Sequence, residues 1–244
     1  MVLACSLAFV FSCNRHYSVK SNEYKQYGVN QELVADSSLI KYYTPFKAKM
    51  EAEMNRVVGI ASDEMPKSND PETALGNFYA DAILIETQKV NPLVEFSFPT
   101  TKGGIRNSIQ KGNITVSHVF ELMPFDNEGV ILKLSGQSVQ KIIDFLASSN
   151  GQPVSGIRMK IANQKAYDVT IAGKPFDINK EYIMVTSDYL ANNGDDQSSL
   201  ANPMERKNVG KLIRTMLMDY INEQTKNGKK ITPKIDGRII VANE

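Results

Sequence analysis

The sequence predicts an α+β domain in which a mixed β-sheet is flanked by helices. Three observations predict it. Strand-like and helix-like runs follow one another at unequal spacing rather than as a regular βαβ series. No internal repeat, low-complexity tract or central linker interrupts the body, so it reads as a single domain. The 244 residues, 42% of them apolar, suffice for one substantial core or at most two small ones.

The elements follow in order. Val2–Ser12 carries no charge; the run is too short to span a bilayer and fits a signal h-region. It ends at Ser12-Cys13, which resembles the lipobox of bacterial lipoproteins and implies acylation of Cys13. Phe11 is bulkier than usual there, and no Lys or Arg precedes the run. A plain signal peptide or a buried N-terminal strand would give the same pattern. On this basis residues 1–12 are a signal peptide of lipoprotein type, Cys13 is the first mature residue, and the polar stretch 13–35 is a tether. The chain is then exported, lipid-anchored in a bacterial cell envelope, and faces the periplasm or the cell surface.

The folded domain is expected over 36–244. Asp36-Ser37-Ser38 caps a helix running to about Asn55, kinked or restarted at Pro45. Val57–Ala61 reads as a strand. Asp70-Pro71-Glu72 marks a helix start, after which Leu75, Phe78, Ala82 and Ile85 form one apolar face. Val94–Phe98 is a short strand and Ser117–Leu122 a brief helix. Val130–Leu134 is a strand followed by a helix marked by Val139, Ile142, Ile143 and Leu146. Ile157–Ile161, Tyr167–Ile171 and Tyr182–Thr186 are strands, with a turn at Ala172-Gly173-Lys174. Val209, Leu212, Ile213, Met216, Leu217, Tyr220 and Ile221 make a long amphipathic stripe ending before Gly228, and Arg238–Val241 is a closing strand.

Composition removes several classes of function. With 28 basic and 27 acidic residues the net charge is +1, which gives no global attraction to nucleic-acid polymers or anionic membranes. Both cysteines, Cys5 and Cys13, lie in the leader region, so the body has no disulfide framework or Cys-based zinc site. His16 and His118 are too few for a His-rich metal centre.

Three segments are unusual for plain scaffolding. Lys102-Gly103-Gly104-Ile105-Arg106 follows a strand; its glycines allow close backbone approach, and Arg106 offers a planar fork for phosphate or carboxylate. A Gly turn with a surface Arg would look the same. In Met123-Pro124-Phe125-Asp126-Asn127, Phe125 is either tucked into the core or held out for stacking, and Asn127 has a donor and an acceptor for a base edge. In Asp188–Asp196, turn chemistry brings Tyr189 and the Asp195 carboxylate around one concavity, although a bland loop also fits.

Glu72–Ala82 (Glu-Thr-Ala-Leu-Gly-Asn-Phe-Tyr-Ala-Asp-Ala), Gly103-Gly104-Ile105-Arg106, Met123–Asn127, Val154-Ser155-Gly156-Ile157-Arg158 and Tyr189–Asp195 occur together in this order. From about residue 50 to 241 the chain thereby resembles the C-terminal domain of 5'-nucleotidases. The resemblance implies that Phe125 and Tyr189 clamp a nucleobase, with Tyr189 standing where Phe is common. It implies further that Arg106 faces phosphate, Asp195 binds ribose, and Asn127 lies by the first ring. Gly76 and Asn77 are packing and capping residues. Thr101 stands where the family often has an Asn that can touch the base, and no basic residue falls between Lys67 and Lys89, where the family often has an extra Arg; the resemblance thus implies a thinner phosphate grip than usual and a reduced or altered affinity for base or nucleoside.

Family enzymes hydrolyse phosphate esters with two metal ions in a separate metallophosphatase domain. No such ligand set occurs here, so this chain is expected to hold no cofactor, and divalent metals belong to a separately encoded metallophosphatase partner. The function implied is nucleoside or nucleotide recognition in a nucleotide-hydrolysing system. The alternatives are a free-standing nucleoside-binding lipoprotein and a structural domain with a lost pocket.

Overall fold

A computed structural model describes residues 18–30, 33–232 and 234–242. The uncharged run, Cys5, Cys13 and His16 lie outside the described residues. The chain divides into two units, one ending at Pro45 and one beginning at Phe46. In the first, residues 18–30 are exposed and carry no regular structure. Helix α1 (Ser37–Met54) starts where expected: Asp36 Oδ1 accepts the amides of Ser38 (2.8 Å) and Leu39 (3.2 Å). Pro45 lies inside α1, which remains one element and buries none of its residues.

The second unit is organised about one sheet. β2 (Phe96–Ser97), β4 (Glu128–Ser135), β8 (Glu181–Ser187) and β9 (Glu205–Leu212) form it in the order β2-β8-β4-β9. Strand alternation sends side chains to two different cores. Val130, Leu132 and Leu134 of β4, with Tyr182 and Met184 of β8, enter one cluster, while Ile131 and Val185 enter the other. Both faces are thus covered, which explains the near-continuous apolar run Val130-Ile131-Leu132.

One face carries α2 (Ala74–Gln88), α3 (Val116–Leu122), α6 (Ile213–Lys226) and the antiparallel pair β1 (Val57–Ala61) and β3 (Gly112–Thr115). The other carries α4 (Gly136–Ser148) and a second sheet, β10-β5-β6-β7. Its strands are β5 (Ile157–Ala162), β6 (Lys165–Ile171), β7 (Lys174–Pro175) and β10 (Ile239–Val241). Gly156 lets these sheets meet: at φ +78 it lies against the second strand, where a Cβ would sit 2.3 Å from the Glu95 carbonyl oxygen. The α+β class therefore holds, with the strands shared among three sheets.

Several element boundaries differ from the sequence pattern. Helix α2 begins at Ala74, not near Asp70, because Thr73 is its cap and accepts the Gly76 amide at 2.9 Å. Glu72 serves a distant segment instead: its Oε1 accepts from the Asn77 side-chain amide (2.6 Å) and the Asp236 backbone amide (2.8 Å). Asn77 also donates to the Lys234 carbonyl, and Arg238 forms a two-bond pair with Asp81, so α2 is tied to the 234–238 segment. Ile85 faces outward, 40% exposed, and leaves the apolar face to Leu75, Phe78 and Ala82. The Val94–Phe98 strand shrinks to Phe96–Ser97. The long stripe from Val209 is two elements, since Val209 and Leu212 belong to β9 and the helix starts at Ile213. His118 is a cap: Thr115 Oγ1 accepts its amide, and its Nδ1 accepts the Thr115 amide.

Candidate functional site

The central sheet places the site. β2 runs parallel to β8, and β4 runs antiparallel to β8. The C-terminal ends of β2 and β8 and the N-terminal end of β4 therefore share one edge of the sheet. Three loops meet there: 99–106 after β2, 123–127 before β4, and 187–197 after β8. Thr186 Oγ1 donates to the Phe98 carbonyl at 2.7 Å, which joins the first loop to the third at its root.

A cavity of about 650 Å³ opens between these loops. It is lined by all five sequence-predicted residues: Arg106, Phe125, Asn127, Tyr189 and Asp195. Phe125 is 38% exposed and Tyr189 48% exposed, so neither ring is committed to the core. The Arg106 guanidinium lies over the Phe125 ring, 5.8 Å from its centroid. Its single hydrogen bond among the described residues is a long one, 3.4 Å to the Gly103 carbonyl, which leaves most of its donors uncommitted. Asn127 is half-buried, and its carbonyl accepts the Ile213 amide at 2.9 Å.

Tyr189 sits on a short helix, α5 (Asp188–Ala191), capped by Ser187, whose Oγ accepts the Leu190 amide. Asp188 Oδ1 accepts both the Tyr189 amide (2.8 Å) and the Glu128 amide (3.1 Å), tying α5 to the start of β4. The Tyr189 hydroxyl donates to Asp195 Oδ1 at 2.9 Å. Gly194 permits this closure: a Cβ there would lie 2.5 Å from the Tyr189 ring. Asn193, Asp195 and Asp196 all have positive φ, between 51 and 70, in the left-handed region. The hydrogen bond to Asp195, and then the Asp195 charge, raise the Tyr189 phenol above its ordinary value of 10.0.

Several lining residues have partners that the sequence pattern did not reveal. Thr101 Oγ1 donates to Asp195 Oδ2 at 2.7 Å, so it serves the carboxylate. Lys102 lines the cavity, but its ammonium is engaged by the carbonyls of Asn69 (3.0 Å) and Asn150 (2.9 Å), and burial pulls it below its ordinary value. Gln152 accepts the Lys102 amide at 2.8 Å, and Phe145 reaches the cavity from α4.

Arg214 was also missed. It donates to the carbonyls of Met123 (3.2 Å) and Phe125 (3.1 Å) and to Asp126 Oδ1 (2.6 Å). Its guanidinium lies 4.0 Å from the centre of the Phe120 ring. One buried side chain thus fixes the loop that presents Phe125. A signal existed: Arg214 is a cation in the first turn of α6, where the helix dipole favours the opposite charge. It became visible only once the true start of α6 was known. Among the described residues, no three His, Cys, Asp or Glu side chains are grouped to hold a metal ion, and no helix is long and apolar enough to cross a membrane.

The family model described as 5'-nucleotidase, C-terminal domain, matches residues 52–202. The chain belongs to the 5'-nucleotidase C-terminal domain family. A relative in Yersinia enterocolitica, Protein UshA, is 28% identical over 80% of this chain and 36% of its own length. A 5'-nucleotidase of Vibrio parahaemolyticus is 26% identical over 81% of this chain and 36% of its own length. This chain therefore spans about a third of the length of these two relatives. The crystal structure of a 5'-nucleotidase precursor from Thermus thermophilus superposes with a TM-score of 0.71 at 27% identity, covering 85% of this chain and 43% of that one. A Staphylococcus aureus structure described as a putative 5'-nucleotidase shares the fold with a TM-score of 0.68 at 15% identity, covering 88% of this chain and 46% of that one.

Proposed function

We propose that this 5'-nucleotidase C-terminal domain binds a nucleoside or nucleotide and presents it to a separately encoded metallophosphatase. One observation carries the reading. A single cavity, of a volume suited to a small ligand, holds two half-exposed rings, a carboxylate and a guanidinium. In this reading Phe125 and Tyr189 stack on the base, Asn127 meets its edge, Asp195 takes the ribose hydroxyls and Arg106 faces phosphate. Binding here would hold the phosphate ester in place for chemistry performed elsewhere. The divalent metals belong to the partner. Cys13 anchors the protein by lipid at the cell envelope, and no nucleic-acid polymer is involved.

The test is calorimetric titration of adenosine, adenine and AMP. Phe125→Ala or Tyr189→Ala should weaken all three by about tenfold or more, the contribution of one base–aromatic stack. Arg106→Ala should weaken AMP more than adenosine. No binding by the wild-type chain at millimolar ligand, with the partner present, would remove the reading. A free-standing nucleoside-binding lipoprotein is the second reading, favoured by two rings, a carboxylate and a guanidinium gathered in one cavity of this domain. A pull-down of the native protein that recovers no metal-dependent phosphatase would support it.

A further inference from the structure

Arg106 is held differently from the arginines that serve the scaffold. Arg56, Arg158, Arg214 and Arg238 each pair with a carboxylate. Arg106 has no carboxylate partner among the described residues. It keeps the one long bond to the Gly103 carbonyl and lies over Phe125, 5.8 Å from the ring centroid. Both residues line the cavity, so the cation covers the ring on the side that a planar ligand must use. One ring face takes one planar group at a time, a guanidinium or a base.

The backbones beneath this contact are fixed. The Arg106 amide donates to the Leu122 carbonyl at 3.0 Å, and the Phe125 carbonyl accepts from the buried Arg214 at 3.1 Å. The part free to move is the exposed Arg106 side chain.

We infer that Arg106 plugs the base clamp: its guanidinium occupies the stacking face of Phe125 until a phosphate draws it off, so that the cavity disfavours free bases and nucleosides and admits nucleotides. The inference rests on the nucleotide reading of the cavity. A base or nucleoside must displace the guanidinium and offers it no anion in exchange. A nucleotide displaces it and then presents a phosphate, with which a guanidinium forms paired, charge-assisted hydrogen bonds. Stacking and phosphate binding are thereby coupled through one side chain, because only the nucleotide interacts favourably with the displaced position.

Two other arrangements give different outcomes. An arginine that met phosphate without first covering the ring would leave free-base affinity untouched when removed. An arginine that backed the far face of the ring while the base stacked on the near one would help every ligand, and its removal would weaken all of them. The sign of the effect on a free base therefore decides.

The experiment titrates adenine, adenosine and AMP calorimetrically into the full chain and into Arg106→Ala. The variant should bind adenine and adenosine more tightly than the wild type by about two- to fivefold, the contribution of an exposed cation–π contact. It should bind AMP more weakly by about threefold or more, since a charge-assisted pair outweighs that contact. Nuclear magnetic resonance supplies a readout independent of affinity. The Arg106 side-chain protons should be shifted upfield by the Phe125 ring in the ligand-free protein, and the shift should vanish in Phe125→Leu and on saturation with AMP. Unchanged or weaker binding of adenine and adenosine by Arg106→Ala overturns the inference, and AMP binding by the wild type then leaves the nucleotide reading standing. A ring shift that survives saturation with AMP also overturns it. If none of the three ligands binds, even with the metallophosphatase partner present, the nucleotide reading falls and this inference falls with it.

Discussion

The two ring-bearing walls of the cavity are held by opposite means. The Phe125 wall is fixed from beneath, because the buried Arg214 guanidinium gathers two backbone carbonyls and the Asp126 carboxylate and caps Phe120. The Tyr189 wall is fixed at its surface, by two hydroxyls on one exposed carboxylate and by three residues with positive φ. Removing a buried donor strands its acceptors out of reach of water, whereas solvent can replace a surface hydrogen bond. The first wall should therefore be rigid and costly to perturb, and the second cheap to perturb and tunable.

The largest expected effect falls on the first wall. Arg214→Met should destabilise the protein by about 3 kcal/mol, since it leaves two carbonyls without a donor and the Phe120 face uncovered. At this chain length that is roughly 6–12 °C in Tm, read by thermal denaturation. Asp126→Asn should cost far less, because the Asp126 side chain is 81% exposed while the arginine is mostly buried. If the two substitutions destabilise equally, the guanidinium is not what organises this wall.

Next comes Gly194→Ala. The new Cβ would lie 2.5 Å from the Tyr189 ring and 2.6 Å from the Tyr189 carbonyl oxygen, so the ring must move. About 1–3 kcal/mol of destabilisation is expected, with a change in tyrosine fluorescence at this wall. An unchanged Tm and spectrum would show that the ring is not packed on this loop.

Tyr189→Phe should move Tm by less than either change, because the ring stays and a surface hydrogen bond is lost. The bond itself is testable by pH. A phenol whose pKa is raised in the folded state contributes stability that is present below the unfolded value and lost as pH rises through the folded one. The latch is therefore intact at neutral pH and released in alkali, above the ordinary phenol value of 10.0. Ultraviolet difference titration of wild type against Tyr189→Phe should show a phenol that ionises later than an ordinary tyrosine. Ionisation of that phenol at or below the ordinary value would remove the latch.

The same contrast explains what could be read from the sequence. Elements whose signal is local came through: α4, with Val139, Ile142, Ile143 and Leu146 buried, and the strand cores of β1, β5 and β8. What failed depended on distant partners. Val209, Leu212 and Ile213 fit helical spacing, yet residues 205–212 pair with β4, as in the Val130–Asn208 register. Helix α2 starts late because Glu72 is engaged by Asn77 and by Asp236, a residue no local pattern could supply. At the site, the order of the motifs located Arg106, Phe125, Asn127, Tyr189 and Asp195, and all five line one cavity. Arg214 and the bond from Thr101 to Asp195 stayed hidden, since they depend on partners up to 91 and 94 residues away.

The tie between α2 and the 234–238 segment bears on when the fold can form. Glu72 meets Asp236 across 164 residues, and both Asn77–Lys234 and Asp81–Arg238 span 157. While the chain is still being synthesised, α2 can coil and its apolar face can collapse, but these three polar side chains have no distant partner until Arg238 has left the ribosome. The layer around α2 therefore closes only once residues 234–238 have emerged, against the loop-closure entropy of joining segments more than 150 residues apart. Until then the chain carries an unfinished surface at this junction, and exposed surface of that kind is prone to association with other chains.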